Sequence, residues 1–225
     1  MKSVIYKLLK ITGGLFLFAL GIVMTINANL GLAPWDILHE GLAKTFGMTI
    51  GTANIIVGLI IVIIEVAFGA NVGWGTIMNM LLIGTFIDIL MINNLIPTFT
   101  GLIPSLIMIF LGLLIQGVGC WIYLLEEMGA GPRDGLMVLL TKKTGKPVKV
   151  TKVSAEVLAT VIGYLLGGTI GIGTLIMAFM GGHSFQLVFN IAKFDVNNVE
   201  NRYIVDDIKF VKEKIKSIKN NNSAS

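Results

Sequence analysis

The chain consists largely of six long hydrophobic runs, separated by short stretches rich in glycine, proline and charged residues. A bilayer core about 30 Å thick requires roughly 20 residues of helix, and the runs approach that length. Because a helix satisfies its backbone hydrogen bonds internally, the pattern predicts an all-α polytopic membrane protein with six transmembrane helices. The predicted spans are residues 11–28, 52–70, 74–95, 102–125, 153–168 and 172–191, and the fifth is the shortest.

The six runs form two copies of one pattern, offset by 98 residues without a gap. A Gly-Leu-Ala-Pro-Trp-Asp segment at 31–36 in the first copy corresponds to Gly-Ala-Gly-Pro-Arg-Asp at 129–134 in the second. Repetition at a fixed spacing indicates two copies of one structural unit. We therefore expect a first membrane repeat at 1–98, a second at 99–193 and a tail at 194–225. The same offset relates the glycine pairs Gly14/Gly112, Gly21/Gly119 and Gly84/Gly182.

Composition excludes a soluble domain, and the distribution of basic residues predicts the orientation. A mean hydropathy of +0.85 and only 13% charged residues leave too little polar surface to coat a globular protein. If the N-terminus is cytoplasmic, Lys44 is the one basic residue among 17 that falls outside, in keeping with the positive-inside rule. Six spans then place both termini in the cytoplasm. The net charge of +4 is a topological signal, and we predict no nucleic-acid partner.

Each copy contains three spans and a short segment between its first and second span. With six spans, the first of these segments, Pro34–Phe46, lies outside, and the second, Pro132–Thr144, lies inside. The sequence therefore predicts two inverted-topology repeats of three spans, related by a pseudo-two-fold axis in the membrane plane, as in many secondary transporters.

The two short segments are predicted to be amphipathic helices. Pro34 suits the first helical position, Asp36 favours a helix N-terminus through its negative charge, and Gly47 favours a C-terminal end. Thirteen residues of helix reach about 20 Å, too short to cross, so each segment lies in the interface or re-enters the protein. A helix start beside a glycine-rich break either binds an anion or simply orients the next span. These elbow motifs comprise Pro34, Trp35, Asp36, Pro132, Arg133 and Asp134.

The elbow motifs also carry a family resemblance. Leu-Gly-Leu-Ala-Pro-Trp-Asp at 30–36, Gly-Met-Thr-Ile-Gly-Thr-Ala at 47–53 and Gly-Ala-Gly-Pro-Arg-Asp-Gly-Leu-Met at 129–137 resemble the YczE/YyaS/YitT-type family of bacterial integral membrane proteins. The resemblance covers about residues 5–192. It implies a multi-pass protein of the bacterial plasma membrane, in a family largely without assigned biochemistry, and it supplies no functional residues.

Ionisable residues within the spans are the candidates for function, because a charge in hydrocarbon costs at least a few kcal/mol. Asp88 and Gln186 are related by the repeat offset, and so are Thr85 and His183. We therefore predict a central polar site of Asp88, His183, Gln186 and Thr85 that binds a proton, a cation or the substrate. The alternative is that Asp88 and His183 are structural. Glu65 is a further candidate, although a carboxylate near a helix end also reaches water by itself.

No chemistry beyond binding is indicated by the sequence. The single cysteine, Cys120, and two histidines provide no metal-ligand spacing, and no pairing of a nucleophile with a base is visible. We therefore expect no enzyme activity, no cofactor and no metal site.

The tail is the only segment with the pattern of a soluble helix. Hydrophobic residues recur at 4-3-4-3 spacing, with acidic residues early and lysines late, which predicts an amphipathic helix. It lies either on the cytoplasmic leaflet or against a protein partner, which includes a second copy of the chain. The hydrophobic positions are Ile204, Ile208, Val211, Ile215 and Ile218.

Two functions remain after these exclusions. The first is a small-solute transporter or exporter that works by alternating access, which the inverted repeat favours because symmetric halves make two opposite states nearly equivalent. The second is a non-transporting membrane subunit for substrate capture or for assembly of a larger complex. The substrate, the coupling ion, the direction and the oligomeric state are not indicated.

Overall fold

The computed structural model describes residues 2–222, except for the side chains at 2–4, 197, 211 and 215–222. The described chain is helical, without a strand. In order, the helices are α1 (Lys2–Asn27), α2 (Pro34–Phe46), α3 (Ile50–Ala67), α4 (Trp74–Ile92), α5 (Leu102–Leu124), α6 (Pro132–Thr144), α7 (Val148–Leu165), α8 (Ile172–Ile191) and α9 (Ile204–Asn222). A single 3-10 turn, Val196–Asn198, precedes α9.

The helix boundaries repeat with the sequence offset. Helices α2 and α3 become α6 and α7 when 98 is added to both ends of each, since 34 + 98 is 132 and 50 + 98 is 148. The reason is local. Proline occupies the first turn of α2 and of α6, and a glycine with positive φ ends each of them, Gly47 at 66° and Gly145 at 67°.

Helices α1 and α5 form the central pair and run antiparallel. Gly14 packs against Gly119, and Gly21 packs against Gly112, so residue numbers rise along one helix as they fall along the other. A Cβ atom at Gly14 would lie 2.9 Å from the carbonyl oxygen of Gly119. These glycines therefore allow the two backbones to touch, as small residues do between membrane helices.

The two repeats exchange a pair of matching backbone contacts. The amide of Gly75 at the start of α4 donates to the carbonyl of Met128, and the amide of Gly173 at the start of α8 donates to that of Leu30, both at 2.7 Å. Adding 98 converts Leu30 into Met128 and Gly75 into Gly173. The loop before α6 thus contacts the start of α4, and the loop before α2 contacts the start of α8. In each case, a loop of one repeat contacts the third long helix of the other repeat.

These contacts define two ends of the molecule. At one end, called here the tail side, the amide of Arg202 donates to the carbonyl of Glu127 at 2.8 Å, and that of Ile204 donates to the carbonyl of Val72 at 3.0 Å. The indole of Trp74 also donates to Asp207 at 3.1 Å. The other end, called the opposite side, contains the 28–33, 47–49 and 166–171 connections. Lys44 at the end of α2 donates to the Gly167 carbonyl there at 3.1 Å.

The packing of the third long helix differs between the repeats. Helix α3 packs along α4, and Gly51 and Gly84 meet so closely that a Cβ atom at either would overlap the other's backbone. The equivalent helices α7 and α8 have no comparable contact along their described lengths. At Gly182, the counterpart of Gly84, no neighbouring atom lies within 4 Å of where a Cβ would be. Helix α7 packs on α2 instead.

Five described helices are long and apolar enough to cross a membrane: Ile5–Asn27, Ile50–Ala67, Trp74–Ile92, Leu102–Leu124 and Ile172–Ile191. Helix α7, which contains the sixth predicted span, is not among them. It is 18 residues long but contains Lys149, Lys152 and Glu156, which lower its hydropathy. The sequence and the structure thus agree on an all-helical membrane protein, and five of the six expected spans satisfy length and composition.

The tail forms the predicted helix, and its start is tied to the bundle through the contacts of residues 201–207. Ile208 on α9 is 49% exposed. The side chains of Val211, Ile215 and Ile218, which belong to the predicted hydrophobic stripe, lie outside the described residues.

Candidate functional site

A cavity of about 490 Å³ lies at the centre of the bundle, where the two repeats face each other. Its size falls within the range of small-molecule sites. Most of its lining comes from positions that the 98-residue offset relates, so it is shared between the repeats. The related pairs in the lining are Phe18/Gln116, Ile22/Cys120, Ala33/Gly131, Pro34/Pro132, Trp35/Arg133, Asp36/Asp134, Asn54/Lys152, Gly58/Glu156, Asn79/Met177, Met80/Ala178 and Ile83/Gly181.

The first turns of α2 and α6 meet at this cavity. The guanidinium carbon of Arg133 lies 5.2 Å from the ring centroid of Trp35, a cation–π distance. Arg133 Nη2 also lies 3.4 Å from Nε2 of His39, one turn further along α2. Both short helices therefore begin in the interior of the protein, where the elbow prolines direct their N-termini towards each other.

His39 connects an acid of one elbow to the base of the other. Its side chain is fully buried, and Asp36 is 4% exposed. Arginine has only donors, so the Nε2 atom of His39 accepts from Arg133 and the proton of a neutral imidazole lies on Nδ1. The Nδ1 atom lies 3.5 Å from Asp36 Oδ1. This distance is within ion-pair range, but neither atom has a hydrogen-bond partner. Asp36, His39 and Arg133 form a chain of net charge zero, called here the elbow triad.

The polar side of α2, not its apolar side, faces the protein. The buried residues of this helix are Asp36, Ile37, His39 and Gly41, while Phe46 is 65% exposed. Leu38 and Leu42, on the same stripe as Phe46, are only partly buried. In lipid an amphipathic helix gains nothing by burying apolar side chains, so the polar groups take the interior, where partners are available. A helix in this arrangement is anchored to the bundle through its polar residues.

Helices α6 and α7 bring further charges to the cavity. Lys152 Nζ lies 3.9 Å from Glu156 Oε1, one turn along the same helix. Asp134 differs from these residues because its carboxylate, which lines the cavity, has neither a hydrogen bond nor an ion pair with any described residue. The positive charges of Lys152 and Arg133 attract the Asp134 carboxylate only at longer range.

Neutral amides complete the polar part of the lining. The side chains of Asn54, Asn79 and Gln116 line the cavity and make no hydrogen bond to another described residue. Their donors and acceptors are therefore available to a solute or to water. The remaining lining is hydrophobic and includes Met80, Ile83, Leu113, Phe185 and Phe189.

Glu65 lies directly behind Asp134. Its side chain is 2% exposed, and its carboxylate packs on the backbone of Gly135, the next residue of α6. Its Oε1 atom has no hydrogen-bond partner within the described part of the chain. Among the ionisable candidates of the predicted spans, Glu65 is thus the one that lies beside the elbows.

The predicted set on α4 and α8 does not line the cavity. Asp88 accepts from Thr49 Oγ1 at 2.6 Å and from the amide of Gly51 at 2.9 Å, so it caps the start of α3. His183 and Gln186 are exposed on α8, where His183 Nδ1 lies 2.8 Å from the Phe179 carbonyl oxygen.

The remaining members have local partners as well. Gln186 donates to Asn190 at 2.8 Å, and Thr85 donates to the Leu81 carbonyl on the outer surface of α4. The expectation that Asp88 and His183 face one common cavity is therefore wrong. The repeat offset correctly identifies equivalent helix faces, but it does not tell which of those faces is turned inward.

Two residues of the site, His39 and Lys152, were not singled out from the sequence. His39 follows Asp36 by one helical turn, which already indicates a shared face. Lys152 is the repeat equivalent of Asn54, so both copies have a polar residue at this position. Tabulating polar residues at equivalent positions would have found this pair. Within the described residues, no three His, Cys, Asp or Glu side chains come together as a metal site.

Comparison with known proteins agrees with this membrane architecture. The "Uncharacterized membrane protein YczE" of Bacillus subtilis is 38% identical over 173 residues, which cover 75% of this chain and 79% of that protein. An "Uncharacterized protein" of Haemophilus influenzae is 31% identical over 185 residues, or 80% of this chain and 84% of the relative. The "Uncharacterized protein YyaS" of B. subtilis is 28% identical over 172 residues, 75% of this chain and 85% of its own.

No solved structure matches the chain. Residues 5–190, which include both elbows and all the cavity helices, match the protein family described as "Family of unknown function (DUF6198)". The chain is therefore a membrane protein of the DUF6198 family, and it is related to YczE and YyaS.

Proposed function

We propose that this protein is a small-solute transporter or exporter that works by alternating access, and that the central cavity holds the solute. The observation that carries the proposal is the unequal packing of equivalent helices: α3 lies against α4, whereas α7 stands apart from α8. Because the two halves are similar, a second conformation is expected in which α7 packs against α8 and α3 separates from α4.

The proposal treats the two repeats as inverted in the membrane. The antiparallel contact of α1 and α5 supports this assignment, because two membrane-crossing helices that run antiparallel have opposite orientations. In the proposed topology α7 is a sixth span, shielded by α2, and both termini lie in the cytoplasm of the bacterial plasma membrane. The tail side is then the cytoplasmic side.

In this arrangement the cavity is open towards the tail side. Its lining extends to Val138, Val148, Lys152 and Val196, which lie at that end of the molecule. At the opposite side the close contact of Gly51 with Gly84 and the docking of Gly173 on Leu30 close the path. In the proposed cycle, this arrangement corresponds to the inward-open state.

The outward-open state follows from exchanging the roles of the repeats. Helix α7 moves towards α8, so that Gly182 approaches the start of α7. The contact is looser than that of Gly84 with Gly51, because the equivalent of Gly51 is Lys149, whose Cβ keeps the two backbones further apart. Gln186, the equivalent of Asp88, then reaches the start of α7, where it takes the capping position that Asp88 takes at α3. Separation of α3 from α4 opens the cavity to the other side.

Accessibility of the cavity from both sides tests the proposal. A single cysteine at Gln116, in a Cys120→Ala background, is expected to react with a membrane-impermeant thiosulfonate added to either face of proteoliposomes. A cysteine at Thr85, which is exposed on the outer surface of α4, is the matched control and is expected to stay unlabelled in lipid. Labelling of the Gln116 position from one face only would exclude alternating access.

A one-sided result would favour the second candidate function, a non-transporting subunit that captures a substrate or assists assembly. One observation supports it: α9 exposes Ile208 and Phe210, at 49% and 60%, and these residues are available to a partner protein.

A further inference from the structure

The charges around the cavity do not balance. The elbow triad has net charge zero, because Asp36 offsets Arg133 across a neutral His39. Lys152 and Glu156 form a second neutral unit. Asp134 remains, so the ionised lining has a net charge of one negative unit, and no described side chain forms an ion pair with this carboxylate.

The surroundings of Asp134 increase this negative character. Glu65 packs behind it on Gly135 and is almost fully buried, with one carboxylate oxygen lacking a partner. Asp36 is also nine-tenths buried and lines the cavity, but its unpartnered Oδ1 lies 3.5 Å from His39 Nδ1, and its charge is already offset by Arg133. Asp134 itself is exposed, so a cation in the cavity can reach its unpaired carboxylate and form a charge-assisted hydrogen bond with it.

The rest of the cavity fits an apolar body. Leu113, Phe185 and Phe189 line one part of it, and the amides of Asn79 and Gln116 supply neutral hydrogen-bonding groups. A bare metal ion has no set of acidic or imidazole ligands here within the described residues. A hydrophobic molecule with a single ammonium group satisfies both the unpaired carboxylate and the apolar walls.

We propose that the cavity binds a monovalent amine with an apolar body, and that Asp134 is the residue that pairs with its ammonium group. This inference rests on the proposed transport function and specifies its substrate class. An anion is disfavoured because the cationic groups, Arg133 and Lys152, already have Asp36 and Glu156 to balance them.

Binding of four compounds of similar size distinguishes the ligand classes. The protein in lipid nanodiscs is titrated calorimetrically at neutral pH with 2-phenylethylamine, 2-phenylethanol, 3-phenylpropionate and L-phenylalanine. We expect the amine to bind at least tenfold more tightly than the alcohol, the usual gain from a charged hydrogen bond. The carboxylate is expected to bind more weakly than the alcohol.

Variants assign the effect to Asp134. Asp134→Asn keeps the shape of the side chain and is expected to reduce amine affinity at least tenfold, with little change for the alcohol. Glu127→Gln, an exposed acid that does not line this cavity, is the control and is expected to leave both affinities unchanged. If Asp134→Asn does not fold, Gln116→Glu provides the reverse test, because an added carboxylate in the cavity should tighten amine binding.

The outcomes separate this inference from the proposed function. Preference for the carboxylate or the zwitterion, or amine affinity that Asp134→Asn and Gln116→Glu leave unchanged, would overturn the inference while two-sided labelling still supports transport. Absence of amine binding at millimolar concentration would also overturn it. Labelling of a cysteine at position 116 from one face only would exclude alternating-access transport, whichever compound the cavity binds.

Discussion

The guanidinium of Arg133 lies 3.4 Å from the imidazole of His39, and this contact joins the first turn of α6 to the second turn of α2. Each of the two short helices begins at a proline of its own repeat, so this contact and that of Arg133 with Trp35 connect the two repeats at their centre. His39 is fully buried, so its removal leaves Asp36 and Arg133 without the side chain that lies between them.

Replacement of His39 by Ala is therefore expected to destabilise the protein by about 2–4 kcal/mol, through loss of the imidazole and through the unpaired charges of Asp36 and Arg133. Thermal unfolding in detergent measures the effect. Phe46→Ala, at an exposed position of the same helix, is the control and should change stability by less than about 0.5 kcal/mol. Equal effects of the two substitutions would show that the elbow triad does not hold the elbows together.

The equivalent glycines Gly84 and Gly182 should respond differently to the same substitution. Alanine at position 84 places a methyl group against Gly51 and Ile55, at a cost of about 1–3 kcal/mol in the state described here. Alanine at position 182 enters open space and is expected to be neutral or slightly stabilising in that state. Melting temperatures of the two single variants measure the contrast.

The variants Gly84→Ala and Gly182→Ala also test the proposed alternating-access cycle. Gly84→Ala should increase labelling of a cysteine at Gln116 from the opposite side, because it weakens the α3–α4 contact. Gly182→Ala should decrease that labelling, because it obstructs the approach of α7 to α8. Identical labelling of both variants from that side would contradict the exchange of packings.

Asp88 is expected to act on stability and not on solute affinity. Its carboxylate accepts two hydrogen bonds at the start of α3, and a lost helix cap costs about 0.5–2 kcal/mol. Asp88→Asn should therefore lower the unfolding temperature and leave 2-phenylethylamine binding within twofold of the wild type. Thr85→Ala, on the exposed surface three residues earlier, is the control for substitution on α4. A tenfold loss of affinity in Asp88→Asn would restore Asp88 as a binding residue.

Much of the architecture was accessible from the sequence. The prolines and glycines at the ends of the two short helices predict α2 and α6 to the residue, because those residue types have strong positional preferences at helix termini. The glycine pairs Gly14/Gly112 and Gly21/Gly119, which the repeat offset identifies, all lie in the contact between α1 and α5.

The site was only partly accessible. The elbow residues from Trp35 to Asp36 and from Arg133 to Asp134 line the cavity, whereas the sequence left open whether the short helices lie in the interface or re-enter the protein. The choice of Asp88 and His183 failed because lipid-facing and buried surfaces of a membrane helix are both apolar, so hydropathy does not tell the inward face from the outward face. His39 was missed because it lies on a short helix outside the predicted spans.

The α3–α4 and α7–α8 distances test the central claim most directly. Pairs of spin labels at Thr52 and Ile89, and at the repeat-equivalent positions Val150 and Leu187, are all at exposed sites. Electron paramagnetic resonance distances are measured for each pair in proteoliposomes, in a Cys120→Ala background with and without Gly84→Ala. Alternating access predicts that Gly84→Ala lengthens the Thr52–Ile89 distance and shortens the Val150–Leu187 distance. Two unchanged distances, or two that change in the same direction, would contradict it.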